Sequence, residues 1–135
     1  MVACFRGDGG APKRDERTLV SNVDLVPTIL TACGLKPTAE MPGVNLLDAG
    51  APARRDAIFA EQFSHDMKDV DHPARTLLSR TCLQGNWKLI VHKDGRVELF
   101  DLGADPSEKT DLAAREPARA AAMRKRLDQW WSGTD

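Results

Sequence analysis

The sequence predicts an α+β fold: a small antiparallel sheet of about four strands packed by a C-terminal helix, with a further helix and strand ahead of it. Three observations carry that expectation. Positions 57–63 ("AIFAEQF") set Ile58, Ala60 and Gln62 against Phe59, Glu61 and Phe63, and the run from Trp87 sets Trp87, Leu89 and Val91 against Lys88, Ile90 and His92, which is the two-residue period of a strand. Asp94-Gly95 stands between two such runs, a strong short-range hairpin signal. Pro117 is followed by Ala120, Met123, Leu127 and Trp130 at spacings of three and four, so the last segment is a helix with one apolar stripe to lay across the sheet.

Composition bounds the function classes. With 135 residues, 41% hydrophobic, 29% charged and a net charge of -1, the chain suits one core and carries no basic excess for a phosphate backbone. No nucleic-acid partner is expected. No apolar run nears the roughly 20 residues of a membrane span, and the start "MVACFRGDGG" lacks the apolar core of a secretory signal. No membrane partner is therefore expected, and the default compartment is cytoplasmic. Cys4, Cys33 and Cys82 are odd in number and form no C-x-x-C pair, so they read as small apolar residues and not as a disulfide framework or zinc site.

Taken in order, residues 2–5 read as a short strand and Arg6-Gly7-Asp8 as turn chemistry. "SNVDLVPTILTACGLKP" carries both ends of a helix. Ser21, Asn22 and Asp24 are N-cap types, Pro27 suits only a first turn, and Gly34 suits the left-handed position past the end. Val26, Ile29, Leu30 and Cys33 are expected to form its buried face. Residues 36–55 hold three prolines and two glycines and read as a loop anchored by Val44, Leu46 and Leu47. Residues 57–63, 76–82, 87–91 and 97–102 then read as strands of a meander, with "LQGN" and "HKDG" as the turns. Trp87, Trp130 and Trp131 read as core between sheet and helix, ahead of a sugar-stacking role.

Three motifs in this order resemble the C-terminal portion of the sulfatases, the arylsulfatase-type enzymes of the alkaline phosphatase superfamily. They are Val23-Asp24-Leu25-Val26-Pro27-Thr28, then Trp87-Lys88-Leu89-Ile90, then the run "LFDLGADPSEKTDLA" from Leu99, in which Asp111 stands where the family usually has Asn. The resemblance implies that residues 1–50 are the end of the large sulfatase α/β domain, a strand, helix and wrapping loop. It implies that residues 51–135 are the C-terminal subdomain. It further implies sulfuric ester hydrolysis in the full-length enzyme, where calcium and a formylglycine made from a Cys or Ser within C/S-x-P-x-R do the chemistry. No Cys or Ser here lies in that motif, so no catalytic residue, no metal ligand and no cofactor is assigned to this chain. The expectation is a fragment or truncated gene, inactive alone, that braces a catalytic domain and walls its substrate cleft. Its partner would be that missing N-terminal catalytic domain, or a second copy, through an exposed apolar patch centred on "DLVPTIL" and residues 44–47. The alternatives are the C-terminal part of a phosphonate or phosphate monoester hydrolase, and a non-enzymatic interaction module.

Two further readings concern the loop after the first meander strand. "HDMKDVDH" collects His65, Asp66, Asp69, Asp71 and His72, but at spacings that match no helical ligand pattern, so it reads as a solvated loop. Some bacterial sulfatases have a similar strand with a His-Asp pair after it. The resemblance therefore makes Glu61, His65 and Asp66 substrate-binding candidates, joined by Arg80. Arg75 and Arg80 otherwise read as partners for carboxylates, and His92 as an exposed residue at the hairpin mouth.

Overall fold

A computed structural model describes residues 18–48, 50–65 and 71–134. The expected strand at residues 2–5, the Arg6-Gly7-Asp8 turn, Cys4 and Asp66 lie outside them. The chain divides into two compact units, Met1–Asp56 and Ala57–Asp135.

The first unit is built on a carboxylate. A 3-10 turn, Asn22–Asp24, runs into helix α1, Leu25–Ala32. Pro27 falls in the first turn, where its missing N–H has no helical acceptor to lose. The helix ends as its glycine predicts: Gly34 has φ 74°, and the amides of Gly34 and Leu35 donate to the carbonyls of Thr31 and Leu30 (3.0 and 2.8 Å), the paired bonds of a Schellman motif. The face is not the expected one. Val26 and Ile29 are 53% and 51% exposed and Cys33 is exposed, whereas Asp24, Pro27 and Thr28 are buried.

The reason is the loop that follows. Val44 N–H donates to Asp24 Oδ1 (2.9 Å) and Leu46 N–H to Thr28 Oγ1 (2.9 Å). Ser21 N–H and both terminal nitrogens of Arg55 also donate to the Asp24 carboxylate (2.8, 2.6 and 2.7 Å). Buried loop amides must find acceptors, and α1 turns its two polar side chains inward to supply them. The approach is close enough that a Cβ on Gly43 would sit 2.1 Å from the Val23 carbonyl oxygen. The anchoring of this loop is thus polar, and Leu47, expected as an anchor, is 49% exposed. One helical turn, α2, Gly50–Ala53, interrupts the expected loop because Asp48 caps it, its Oδ1 accepting from Gly50 N–H (3.0 Å).

The second unit is the predicted meander. Strands β1 (Ile58–Phe63), β2 (Leu77–Gln84), β3 (Trp87–His92) and β4 (Val97–Asp101) pair antiparallel in that order. A 3-10 turn, Pro73–Thr76, leads into β2, so that strand starts one residue later than expected. Helix α3, Pro117–Trp130, packs on β2 and β3. Register explains the core: Phe59, Cys82, Leu89 and Leu99 form one row across the four strands. The last three are fully buried against Met123 and Leu127 of α3, each such aliphatic side chain contributing about 2 kcal/mol.

Two turns set the register. Gly85 takes φ 57° in the two-residue β2–β3 loop, where the first position of such a turn needs positive φ. In the β3–β4 hairpin only Gly95 is left-handed, at 89°. Asp94 keeps negative φ and instead accepts from Arg96 N–H through Oδ1 (2.9 Å). The run from Asp101 is held by its acidic side chains: Asp105 Oδ2 accepts from the amides of Lys109 and Thr110 (2.7 and 2.8 Å). Asp111 Oδ1 accepts from Leu99 N–H (3.0 Å) and Ala113 N–H (2.8 Å), which closes the free edge of β4. An Asn oxygen would accept the same bonds, so the family's residue and this one are equivalent there.

Asp24→Ala is expected to cost about 3 kcal/mol by leaving Arg55 and the Ser21 and Val44 amides without their acceptor, and to abolish hydrogen-exchange protection of Val44 in the loop. Burial alone would raise the Asp24 pKa; the Arg55 hydrogen bond and the Ser21 and Val44 amides outweigh it and hold the carboxyl below its ordinary value near 3.8. Stability from this group is therefore complete above that ordinary value and is lost as pH falls through the lower folded one. An acid titration of Val44 protection that begins well above pH 5 would contradict this.

Glu108 gives a second test. It holds φ 53° while its carboxylate takes Lys88 Nζ at 2.6 Å. Glu108→Ala loses the pair and keeps the strain; Glu108→Gly loses the pair and relieves about 1 kcal/mol of strain. Glycine should therefore give the more stable variant in urea denaturation.

Candidate functional site

The candidate residues gather at one corner of the second unit, where β1 meets the end of α3. Strand alternation puts Phe59, Glu61 and Phe63 on one face of β1. The face is the one that α3 covers, since Phe59 packs against the core. Phe59 stacks on Trp130 (centroids 5.3 Å, planes 13° apart), Phe63 meets Trp131 at 6.1 Å, and the two tryptophans stand edge to face at 6.4 Å. Glu61, exposed, lies between the two aromatic contacts. Trp130 is 44% exposed, so it belongs to the rim and not to the interior expected for it. Trp87 does pack against the core, with the Arg119 guanidinium 4.2 Å from its ring centroid.

Arg80 lies directly opposite Glu61 in register, and there the likeness between them ends. Its residue is 6% exposed. Its guanidinium donates to the Trp131 carbonyl and pairs with Asp128 at 3.0 Å. It fastens the end of α3 and the tail that follows. Gly133, with φ 81°, comes close enough that a Cβ there would lie 2.9 Å from Arg80 Nε. His65 follows β1 and is exposed. The structure therefore brings Glu61 and Arg80 together on one face and leaves His65 at the strand's end.

A second polar group lies on the opposite face of the sheet. Gln62, Ser79 and His92 are paired in register, Ser79 Oγ donates to Gln62 Oε1 (3.3 Å), and His92 Nε2 is 2.6 Å from Glu98 Oε2. Arg96 Nη1 donates to the other Glu98 oxygen (2.5 Å). His92 is thus a partnered, three-quarters buried residue, not the exposed one expected from its place near the turn.

Chemically, the corner offers groups suited to recognition. An exposed carboxylate between aromatic rings can accept hydroxyl hydrogen bonds while a ring face meets C–H groups. Among the described residues no three His, Cys, Asp or Glu side chains are grouped to hold a metal ion, and no helix is long and apolar enough to cross a membrane. The aromatic corner carried only a weak sequence signal: Phe59 and Phe63 share strand parity, but nothing local says that Trp130 and Trp131 would meet them.

The family model for the C-terminal part of N-sulphoglucosamine sulphohydrolase matches residues 8–131. Arylsulfatase K from Bos taurus is 29% identical over 127 residues, a match covering 82% of this chain and 21% of that protein. The chain thus spans about a fifth of the curated relative's length. A structure solved with its substrate D-glucosamine-2-N,6-O-disulfate superposes with a TM-score of 0.61 at 18% identity, covering 83% of this chain and 24% of that one. The phosphonate monoester hydrolase of Agrobacterium radiobacter gives 0.58 at 25% identity, covering 78% and 23%.

Replacing Arg80 by Met keeps the aliphatic stem and removes the bonds to Trp131 and Asp128. The expected loss is about 2 kcal/mol in urea denaturation, with the fluorescence of Trp130 and Trp131 shifting towards that of exposed indole. An unchanged midpoint would mean that the tail does not depend on this clamp.

Proposed function

The chain belongs to the family of N-sulphoglucosamine sulphohydrolase C-terminal portions, and from that premise we propose that it serves a sulfuric ester hydrolase as its C-terminal part, bracing the catalytic domain and walling the substrate cleft. The observation that carries this is the family match across residues 8–131. The length of the relatives supports it, since four-fifths of bovine arylsulfatase K lies outside the matched part. On this reading residues 1–50 finish the large α/β domain and residues 51–135 are the C-terminal subdomain.

Sulfate ester cleavage in this family calls on calcium and formylglycine, and the residues described here fit neither. Cys82 is fully buried in the sheet and Cys33 sits at the end of α1; neither is followed by the Pro-x-Arg pattern. Asp24, Asp105 and Asp111 are spent on backbone amides, and Asp24 on Arg55 as well. The hydrolytic step therefore belongs to another part of the enzyme, and this chain's contribution is shape and recognition. Glu61 and His65 would face the organic part of the ester beside the aromatic corner, with Asp66 following His65 in sequence and Arg80 holding the corner in place from beneath.

The likeness to the Agrobacterium phosphonate monoester hydrolase supports a second reading within the same superfamily, in which the parent enzyme cleaves phosphonate or phosphate monoesters. Both readings are tested by one assay. The purified chain with calcium should hydrolyse neither 4-nitrophenyl sulfate nor a phosphonate ester above a heat-killed blank. Joined to a family catalytic domain, it should support turnover of the sulfate ester preferentially. There, Glu61→Gln or His65→Ala should raise KM for a sugar sulfate by about three- to tenfold with kcat unchanged, as loss of uniform binding does. Calcium-dependent turnover by the chain alone would overturn the proposal.

A further inference from the structure

We propose that the aromatic corner at the end of α3, where Trp130, Trp131 and Phe63 gather around Glu61, is a binding site for a small organic cation carrying an ammonium group. The inference rests on the reading above for what such a ligand is there, the organic part of an ester, and adds the charge of the group that the corner takes. Trp130 and Trp131 stand 89° apart with centroids at 6.4 Å, and Phe63 is tilted 44° against Trp131 at 6.1 Å. Rings at such angles present walls of different orientation to one group. Glu61 shares their strand face, about 7 Å along β1 from Phe59 and from Phe63.

These rings are held before any ligand arrives. Trp130 lies on Phe59, and the Trp131 amide donates to the Leu127 carbonyl (3.0 Å) while its own carbonyl accepts from Arg80. The β1–β2 register also slips at this point: Gln62 pairs with Ser79 but Phe63 with Leu77, so Leu78 is passed over on that side. A bulge of this kind re-aims the side chain beside it, and here that side chain is Phe63. Trp130 nevertheless stays 44% exposed. A ligand meeting rings already fixed has little ordering to offset.

Charge narrows the occupant. Arg80 is directly opposite Glu61 in register, yet its guanidinium pairs with Asp128 at 3.0 Å. Among the described residues no cation pairs with Glu61 and none lies over Trp130 or Trp131. Trp87, by contrast, already has the Arg119 guanidinium over its ring. A ring face and a carboxylate both attract positive charge, one through its quadrupole and the other by Coulomb's law. A neutral sugar needs donors as well as acceptors for its hydroxyls, and the side chain set between the rings is an acceptor-only carboxylate. An aliphatic surface would bury that carboxylate without a partner. An alkylated ammonium meets the rings and the carboxylate together.

The test titrates the full 135-residue chain with tetramethylammonium chloride and, separately, with tert-butanol, an uncharged group of similar size, at constant ionic strength. Indole N–H signals in NMR are the readout, assigned with Trp130→Phe and Trp131→Phe. Tetramethylammonium should shift the Trp130 and Trp131 signals saturably, leave that of Trp87 in place, and bind at least about tenfold more tightly than tert-butanol. Glu61→Gln, at an exposed position where the fold is little affected, should weaken tetramethylammonium by about three- to tenfold and leave tert-butanol unchanged. Equal binding of the two probes would show a merely apolar patch and overturn the proposal. A cation titration that never saturates, or one indifferent to Glu61→Gln, would overturn it as well, and saturable binding of glucose in place of the cation would assign the corner to a neutral sugar instead. None of these failures touches the reading of the chain as the C-terminal part of a sulfuric ester hydrolase, which the turnover assay decides.

Discussion

One buried carboxylate organises the first unit. Asp24 accepts from the Ser21 and Val44 amides and from both terminal nitrogens of Arg55, and through those bonds it joins a helix start, a loop and a residue 31 positions away. A carboxylate taken out of water without partners would cost several kcal/mol. Its full set of donors offsets that cost, and the same set dictates everything local to it. The helix must show its polar side to the loop, Gly43 must lack a Cβ, and Thr28 must supply the second acceptor. The motif Val23 to Thr28 is therefore better understood as a clamp for the following loop than as a hydrophobic helix.

The second unit depends on a different constraint, the alternation of the meander and its closure by α3. Phe59, Cys82, Leu89 and Leu99 line up because register and parity agree across four strands, and Met123 and Leu127 cover them. The acidic run after β4 then finishes the sheet by turning its side chains onto backbone amides, Asp111 capping the outer edge. Arg80 ties the end of α3 to the strand beneath it. A cation placed in the interior is kept there by a carbonyl and a carboxylate together, which is why it fastens the corner.

In both units polar side chains are used to secure backbone. Many of the described acidic and basic side chains hold loops, caps and edges, as Asp24, Arg80, Asp105 and Asp111 do, while Glu61 is exposed on the strand that carries Phe59 and Phe63.

What the sequence determined by itself was everything governed by local period and turn chemistry. The meander, the Gly85 and Gly95 turns, the Schellman end of α1 at Gly34 and the stripe of α3 all follow from residues within a few positions of one another. The order of three motifs likewise pointed to the sulfatase C-terminal portion. Only the tertiary structure decided which face of α1 turns inward, that Arg80 is a buried clamp, that His92 pairs with Glu98, and that Trp130 and Trp131 meet Phe59 and Phe63. The physical reason is common to all four. Apolar periodicity is a property of one segment, whereas the partner of a polar or aromatic side chain is fixed by where the fold brings other residues, and a buried carboxylate or guanidinium can reverse the choice that hydrophobicity alone would make.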